Sequence, residues 1–281
     1  MTCAVSGGPD SLALLALAVA AGLEVTAVHV DHGLRPGSGR EAEVVEAAAE
    51  RFGARFSARR VTVVEGPNLE ARARAARYAA LPPDACTGHT ADDQAETVLL
   101  HLLRGAGSTG LAGMRPGPRR PLLGLRRAET VALCDELGLE PVVDPSNADP
   151  RFRRNRVRHE VLPLLAEVAE RDLVPVLCRQ ADLLRGEADV LAGLAGALDP
   201  TDARALRAAP VALARLAVRA WLAGGPAAEH PPDAATVERV LAVARGDARA
   251  ADAGGGWRVA RTGGRLRLEP PAPAPPPRAG H

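Results

Sequence analysis

Hydrophobic and polar positions alternate with two different periods along the first hundred residues. Short apolar runs predict strands, and longer runs in which apolar residues recur every three or four positions predict helices. The strands are predicted at 2–5, 24–30, 56–64 and 85–88, and the helices at 11–21, 38–52, 68–81 and 91–103. Strands that alternate with helices favour an α/β fold with a doubly wound parallel sheet. Ligands of such sheets bind at the carboxyl ends of the strands.

The pattern changes after about residue 163. Segments rich in Ala, Leu and Arg predict helices at 165–195, 210–223 and 234–245. The runs 257–260 and 265–268 flank Gly263 and Gly264, which predicts a hairpin. The Pro-rich end, PPAPAPPPRAGH, is predicted to be disordered. We therefore expect an α/β domain over 1–165, a small helical domain over 166–250, and a short hairpin with a disordered tail over 251–281.

Composition excludes several classes of protein. The four cysteines are scattered without a CxxC pair, which favours reduced thiols over a disulfide framework or a zinc site. The longest early apolar run, 12–23, has no basic residue before it and is shorter than the roughly 20 residues of a membrane span. We expect a cytoplasmic protein without a membrane segment. The net charge is +1, but residues 104–158 hold 11 Arg against 6 Asp and Glu, so the middle of the chain is basic.

The turn SGGPDS, Ser6 to Ser11, follows the first predicted strand and opens the first helix. Gly7 and Gly8 allow the backbone N–H groups to converge, and the helix N-terminus adds partial positive charge, so the turn suits a phosphate or pyrophosphate. Asp10 offers a carboxylate for Mg²⁺. The alternative is an ordinary Gly-rich strand–helix turn. The turn lacks the GxxxxGK[ST] spacing and the lysine of a Walker P-loop.

Two further groups follow strands. His29, Asp31 and His32 end the second strand and could approach a nucleotide, bind a metal, or form a hydrogen-bond network. Asp92, Asp93 and Glu96 lie on the first turn of the helix after the fourth strand. Asp92 and Glu96 are four residues apart and are expected to face the same cleft as SGGPDS, where they suit Mg²⁺ or an amine. Simple capping of the helix is the alternative.

The basic segment RFRRNRVR contains Arg151, Arg153, Arg154, Asn155 and Arg156. Arginines at irregular spacing beside Phe152 suit phosphate contacts and base stacking on RNA. A solvated arginine cluster is the other interpretation. Arg104 ends the helix that carries the carboxylates, and the loop 105–113 after it either closes over a nucleotide or only links two elements.

SGGPDS resembles the PP-loop of the ATP pyrophosphatases, whose catalytic domain is Rossmann-like. With NLEARARAARY, three further strings make the chain similar to the tRNA(Ile)-lysidine synthetases. They are HVDHGLRPGS, GHTADDQAETVLLHLLRGAGSTGLAGM and RPLL…DPSNADPRFRRNRVRHEVLP. The resemblance covers about residues 1–165 continuously. The family often has a second His where this chain has Thr90, and its members usually have more chain before the PP-loop.

The resemblance implies an adenylating domain that uses ATP and Mg²⁺ to join free L-lysine to the wobble cytidine of a tRNA(Ile) with a CAU anticodon. It implies that the second domain binds substrate or tRNA, and a homodimer stays open. The implied catalytic residues are Asp10, Asp93 and Glu96; the implied ATP residues are Ser6, Gly7, Gly8, Pro9, Asp10, Ser11, His29 and Asp31, with Asp10 on the metal; the implied tRNA residues are Arg104, Arg151, Arg153, Arg154, Asn155 and Arg156. Two alternatives remain: another PP-loop enzyme such as a tRNA thiolase, and a non-catalytic nucleotide-binding module.

Overall fold

A computed structural model describes residues 1–31, 39–62, 69–226 and 232–271. The chain divides into two compact units, Met1–Arg185 and Gly186–His281. The division falls inside one long helix, whereas the sequence pattern placed a boundary at 165. The predicted helix caps at Ser38 and Asn68 and the Pro-rich end 272–281 lie outside the described residues.

The first unit contains a four-stranded parallel sheet, as predicted. Its strands are β1 (Thr2–Ala4), β2 (Thr26–Asp31), β3 (Arg55–Arg60) and β4 (Cys86–Thr87), in the order β3-β2-β1-β4. The helices of this unit are α1 (Pro9–Ala20), α2 (Gly39–Phe52), α3 (Leu69–Ala80), α4 (Ala91–Leu102), α5 (Ser108–Leu111), α6 (Arg127–Glu136), α7 (Arg153–Arg156) and α8 (Leu162–Ala169). A long helix, α9 (Val174–Gly196), continues into the second unit.

The core of the first unit explains why these segments take these conformations. Leu12, Leu15 and Val45 of α1 and α2 are almost fully buried against Cys3 and Ala27 of the central strands. Strands covered by helices on their faces become apolar throughout, which is the pattern of β1 and β2. The sheet therefore forms a rigid base from which the strand ends project polar residues.

The strand order creates a crevice at the carboxyl end of β1. The chain passes from β1 to β2 and β3 on one side and then returns to place β4 on the other side of β1. Ligands of open α/β sheets bind at such a change of direction. SGGPDS follows β1 and the acidic helix α4 follows β4, so the two candidate motifs meet at this point.

The second unit contains helices and a small antiparallel sheet. The helices are α10 (Ala203–Ala208), α11 (Val211–Ala223) and α12 (Ala234–Arg245), and the sheet is β5 (Ala250–Gly254), β6 (Trp257–Thr262) and β7 (Arg265–Glu269). The predicted hairpin is confirmed as β6 and β7, and β5 adds a strand that the sequence did not predict. Val218, Val240, Val259 and Leu266 form the core of this unit. Across the described ranges, no helix combines the length and the hydropathy needed to cross a membrane.

Candidate active site

The SGGPDS turn is held in shape by its own two serines. The Ser11 hydroxyl accepts a hydrogen bond from the Ser6 backbone N–H at 3.1 Å, lies 3.2 Å from the Ser6 hydroxyl, and donates to the Gly8 carbonyl at 2.9 Å. Gly8 precedes α1, and Pro9 occupies its first turn, where a missing N–H costs nothing. The turn therefore presents the start of α1 to the crevice.

Two glycines permit close approaches at this turn. Gly7 has φ +85°, and a Cβ there would lie 3.1 Å from Cγ2 of Val142. Gly88, after β4, would place a Cβ 2.5 Å from the carbonyl oxygen of Asp10. Side chains at these positions would push apart the turn, the end of β4 and the segment around Val142. The glycines thus allow three chain segments to meet at the crevice.

These segments enclose a cleft of about 420 Å³. The lining includes five residues of the turn: Ser6, Gly8, Pro9, Asp10 and Ser11. The remaining polar lining residues are His29, Glu41, Arg77, Tyr78, Thr87, His89, Asp93, Arg127, Asp144, Asn147 and Arg158. The structure therefore brings the PP-loop, His29 and Asp93 together, as the sequence predicted. It does not place Asp31, Glu96 or Arg104 among the lining residues.

Arg127, at the start of α6, connects the predicted carboxylates. Its Nε lies 3.3 Å from Oδ2 of Asp10, its Nη2 lies 2.9 Å from Oδ1 of Asp93, and its Nη1 lies 3.3 Å from Oε1 of Glu96. A planar guanidinium can serve several carboxylates at once because its donors point in fixed directions. The sequence analysis did not select Arg127, since its local string, LRRAE, is an ordinary helix start in an arginine-rich chain.

Asp10 and Asp93 share Arg127 but differ in their pKa values. Burial raises the pKa of Asp10 above its usual value, with a further rise from Asp93, although Thr130 and Arg127 oppose this. Burial also opposes the ionisation of Asp93, but the charge of Arg127 and the hydrogen bond from the Thr90 N–H outweigh it and lower the pKa. The two carboxyls of one site are thereby driven apart in proton affinity, a pattern typical of functional sites.

Glu96 is fully buried and is surrounded by arginines. Arg158 donates to its Oε1 from Nε at 2.6 Å and to its Oε2 from Nη2 at 3.1 Å, and Nε of Arg154 lies 3.5 Å from Oε2. Together with Arg127, these groups form what we call the acid–arginine cluster: Asp10, Asp93, Glu96, Arg127, Arg154 and Arg158. A buried carboxylate is tolerated here because three cations surround it.

Arg154 and Arg158 reach Glu96 from one helical segment. α7 continues through a π-helical turn, Val157–Val161, into α8. Residues four apart lie on one face of a helix, and π-helical turns are often found at functional sites. Arg158 ends the run RFRRNRVR but was not among the predicted tRNA-binding residues; its spacing of four from Arg154 is the signal that places both on one face.

Asp92 and Glu96 line one cavity, as expected, but that cavity is not the cleft beside SGGPDS. Both oxygens of Asp92 accept hydrogen bonds from Arg126, at 3.1 and 3.2 Å, and Oδ2 also accepts from the Arg127 backbone N–H at 2.7 Å. These bonds turn Asp92 toward a second cavity of about 200 Å³, which Glu96 and Asp172 also line. Asp93, rather than Asp92, pairs with Glu96 around Arg127.

Asp93 caps helix α4 and also contacts Arg127. Its Oδ2 accepts hydrogen bonds from the Thr90 N–H at 3.0 Å and from the Thr90 hydroxyl at 3.2 Å, which closes the first turn of α4. Its Oδ1 faces Arg127. Thr90, where the resembling family often has His, is fully buried and serves the cap. The two interpretations of Asp93 in the sequence are therefore compatible.

His29 and Asp31 leave β2 in different surroundings. His29 is 2% exposed, and its Nδ1 lies 3.0 Å from the Val5 carbonyl oxygen, so Nδ1 carries the hydrogen and donates. Asp31 lies 3.9 Å from Nε of Arg60 on the neighbouring strand. Within the described residues, no group of three or more His, Cys, Asp and Glu is arranged to hold a metal ion; His32 lies outside those residues.

The loop after Arg104 is fastened to the helices around it. Gln94 donates to the Met114 carbonyl at 3.0 Å and accepts from the Met114 N–H at 2.7 Å, while His101 bonds to the Gly110 carbonyl at 2.6 Å. Arg185 donates to the carbonyls of Ala112 and Met114. Arg104 itself is exposed at the end of α4. The helix α5 inside this loop was not predicted.

The basic segment has two faces rather than one. Arg151, Arg153 and Arg156 are exposed, and Arg151 and Arg156 pair with Asp149 and Glu160 at the surface. Arg154 instead reaches inward to Glu96. Asn155 is 7% exposed, and its amide donates to the carbonyls of Ser146 at 2.7 Å and Asp149 at 2.9 Å. The five residues that the sequence grouped for tRNA binding therefore do not form one surface.

Comparisons with known proteins identify the family of the chain. A family model described as a PP-loop domain matches residues 1–165. The tRNA(Ile)-lysidine synthase of Nocardia farcinica is 45% identical over 97% of this chain and 92% of its own length, and that of Mycolicibacterium paratuberculosis is 48% identical over 79% and 74%.

At the level of fold, the chain is similar to the U34-tRNA thiolase NcsA of Methanococcus maripaludis. The TM-score is 0.53 and the identity is 17%, over 66% of this chain and 72% of the thiolase. The long matches at high identity, rather than this fold-level likeness, decide the family. The chain belongs to the tRNA(Ile)-lysidine synthase family of PP-loop proteins.

Proposed function

We propose that this chain uses ATP to join free L-lysine to carbon 2 of the wobble cytidine of tRNA(Ile), with AMP and pyrophosphate as the other products. The observation that carries the proposal is the acid–arginine cluster at the end of the PP-loop cleft. The relatives of the chain are named as tRNA(Ile)-lysidine synthases, which fits this reaction. A turn for pyrophosphate and a set of carboxylates for an amine meet at one point.

The first step is adenylation of the RNA. The oxygen on carbon 2 of cytidine attacks the α-phosphorus of ATP, the bond to the β-phosphate breaks, and pyrophosphate leaves toward Ser6–Ser11. Arg127 and Arg158 line the same cleft and supply positive charge for the phosphates. Because the α-phosphate reaction requires mainly alignment and charge stabilisation, we assign these residues to positioning and electrostatics.

Magnesium fits the oxygen donors of this cleft. Asp10 belongs to the PP-loop and lines the cleft, and Mg²⁺ favours carboxylate and phosphate oxygens. A bound Mg²⁺ would neutralise phosphate charge. We assign its protein ligand to Asp10.

The second step is attack by lysine. The ε-amine, having lost its proton, attacks carbon 2, and the bond from carbon 2 to the adenylated oxygen breaks, so AMP leaves. Asp93, with its lowered pKa, stays ionised at neutral pH and can hold the incoming ammonium. Glu96, directly behind Arg127 and Arg158, fixes both guanidinium groups in place.

The thiolase alternative receives no support from the cysteines. Cys3 and Cys86 are neighbours across β1 and β4, but both are buried in the core. Burial raises the pKa of Cys3 to about 12 and that of Cys178 to about 11, so both remain thiols at neutral pH. The thiolate is the form that binds clusters or attacks sulfur donors.

The reaction also places the protein among tRNA, ATP and free lysine, so we propose a cytoplasmic location. We propose that Arg104 and the exposed arginines Arg151, Arg153 and Arg156 contact the tRNA. A homodimer remains a prediction, and sedimentation of the purified protein would test it.

The direct test follows nucleotide release from labelled ATP. We expect AMP and pyrophosphate in equal amounts, with sustained release only when tRNA(Ile) and lysine are both present. Sustained release that needs a sulfur donor instead of lysine would support a thiolase. ATP binding without AMP release under any of these conditions would identify a non-catalytic module.

A further inference from the structure

One wall of the ATP cleft is a turn that does not belong to the sheet. Val142, Asp144 and Asn147 line the cleft, and Asn147 belongs to a 3₁₀ turn, Pro145–Ala148. The Val142 N–H donates to the Gly7 carbonyl of the PP-loop at 2.9 Å. We call residues 142–149 the wall turn. It touches the phosphate-binding turn directly, so a shift of the wall turn would move a cleft lining residue and a PP-loop contact together.

Asn155 fastens the wall turn to the helix that carries the basic segment. Its side-chain amide donates one hydrogen to the Ser146 carbonyl at 2.7 Å and the other to the Asp149 carbonyl at 2.9 Å. Both donor hydrogens of the amide are used, at a position that is 7% exposed. A second, weaker connection joins the same parts, because Nε2 of the exposed His159 donates to the Asn147 carbonyl at 3.2 Å.

The same helical segment also faces solvent and the acid–arginine cluster. Arg153 and Arg156 are exposed on either side of Asn155, while Arg154 contacts Glu96 and Thr97. Phosphates that bind the exposed arginines would therefore pull on a segment whose buried face holds both the wall turn and Glu96. Energetic coupling between two sites requires such a contiguous element that both ligands bias.

We propose that Asn155 is a positioning residue that couples RNA binding on Arg151, Arg153 and Arg156 to ATP binding in the cleft, through the wall turn. The proposal rests on the proposed function, because it requires RNA on the exposed arginines. RNA binding holds the segment in the arrangement that seats the wall turn against the PP-loop. ATP then binds more tightly, and by reciprocity ATP tightens RNA binding by the same factor.

The test measures the dissociation constant of α,β-methylene-ATP, which cannot release pyrophosphate, with and without saturating tRNA(Ile). For the wild type we expect tRNA to tighten analogue binding by at least about fivefold. Asn155→Ala should reduce that ratio to below about twofold, and His159→Ala, an exposed change that leaves the core intact, should give an intermediate ratio. Both variants should still bind each ligand alone.

Val157→Ala is the matched control. Val157 lies two residues from Asn155 and packs with Leu99 and Leu100 of α4. It should destabilise the fold by loss of packing and keep the wild-type ratio. The proposal is overturned if the wild type shows no effect of tRNA on analogue binding, if Asn155→Ala keeps the wild-type ratio, or if Val157→Ala loses it equally. Failure of the proposed function is separate, since the wild type would then release no AMP with tRNA and lysine.

Discussion

Two sets of arginines on one short segment are held in opposite environments. Arg154 and Arg158 are about three-quarters buried and share the fully buried Glu96. Arg151 and Arg156 keep 84% and 60% of their side chains exposed and pair with the nearby Asp149 and Glu160. A shared surface ion pair adds little to stability, because water and salt screen it, whereas a buried pair cannot be broken without leaving a charge unpaired.

The difference assigns separate tasks to residues of identical chemistry. The inner arginines, with Arg127, fix the carboxylates at the end of the ATP cleft. The outer arginines can exchange their carboxylate partners for phosphates at small cost. One segment therefore presents a preorganised electrostatic site on one side and, on the other, an exposed surface that we propose binds RNA. Loss of an inner residue should affect chemistry and folding, whereas loss of outer residues should lower RNA affinity and leave folding intact.

The largest expected effect follows removal of the charge at the centre of the inner set. Glu96→Gln leaves Arg127, Arg154 and Arg158 around a neutral amide, and the free energy of unfolding should fall by about 3 kcal/mol. AMP release per folded molecule should also fall sharply, because Arg127 and Arg158 lose the carboxylate that fixes them. Chemical denaturation and the AMP assay measure the two effects. Simple helix capping would give a smaller loss and unchanged activity per folded molecule.

Asp10→Asn should separate activity from stability. The pKa of Asp10 is raised in the folded protein, so its ionised form costs stability at neutral pH. Without nucleotide or magnesium, the variant should melt at or above the wild-type temperature, while its AMP release is abolished. The difference in melting temperature should shrink as the pH falls through the raised pKa, because the wild-type carboxyl then becomes neutral as well.

Asp93→Asn is the matched comparison for Asp10→Asn. The pKa of Asp93 is lowered, so its charge contributes stability that is present at neutral pH and lost as the pH falls through that lowered pKa. This variant should be less stable than the wild type at pH 7, with a gap that closes in acid. The same response from both variants would contradict the assigned difference between the two carboxyls.

Sequence patterns predicted the sheet and the motifs better than the contacts between distant segments. The parallel order and the meeting of SGGPDS with α4 follow from apolar strands and from loops at strand ends. Arg127 escaped prediction because its role arises only when α6 packs beside the PP-loop. The strand β5 has the sequence AADAG, which contains neither β-branched nor aromatic residues, and it forms through pairing with β6.

The two faces of the basic segment were also beyond local patterns. The run RFRRNRVR contains arginines at every spacing from one to four, so no single face stands out. The inward direction of Arg154 and Arg158 depends on Glu96, which lies far away in the sequence. The direction of Asn155 depends on two backbone carbonyls of the wall turn. Asn155 is one of only three Asn in the chain, but this rarity does not reveal which partner it meets.

A smaller effect is expected on the outer face. Replacing Arg151, Arg153 and Arg156 together with Ala should weaken tRNA binding and reduce the slope of log affinity against log salt by about one unit per lost phosphate contact. Binding of ATP alone should be unchanged. Replacing the exposed Arg40, Arg55 and Arg59 of α2 and β3 removes the same charge elsewhere. Equal slopes in both triple variants would show that the outer arginines are only solvated and do not contact the tRNA.

The most direct measurement of the central claim is the identity of the product. The protein would be incubated with ATP, tRNA(Ile) and lysine labelled with ¹⁵N at the ε-amine, and the wobble nucleoside would be analysed by mass spectrometry with fragmentation. We predict a cytidine–lysine adduct in which the labelled nitrogen stays on the base. The Arg158→Ala variant should form no adduct, and the Arg153→Ala variant should form it again when the tRNA concentration is raised. An unmodified cytidine, or a bond through the α-amine, would contradict the account.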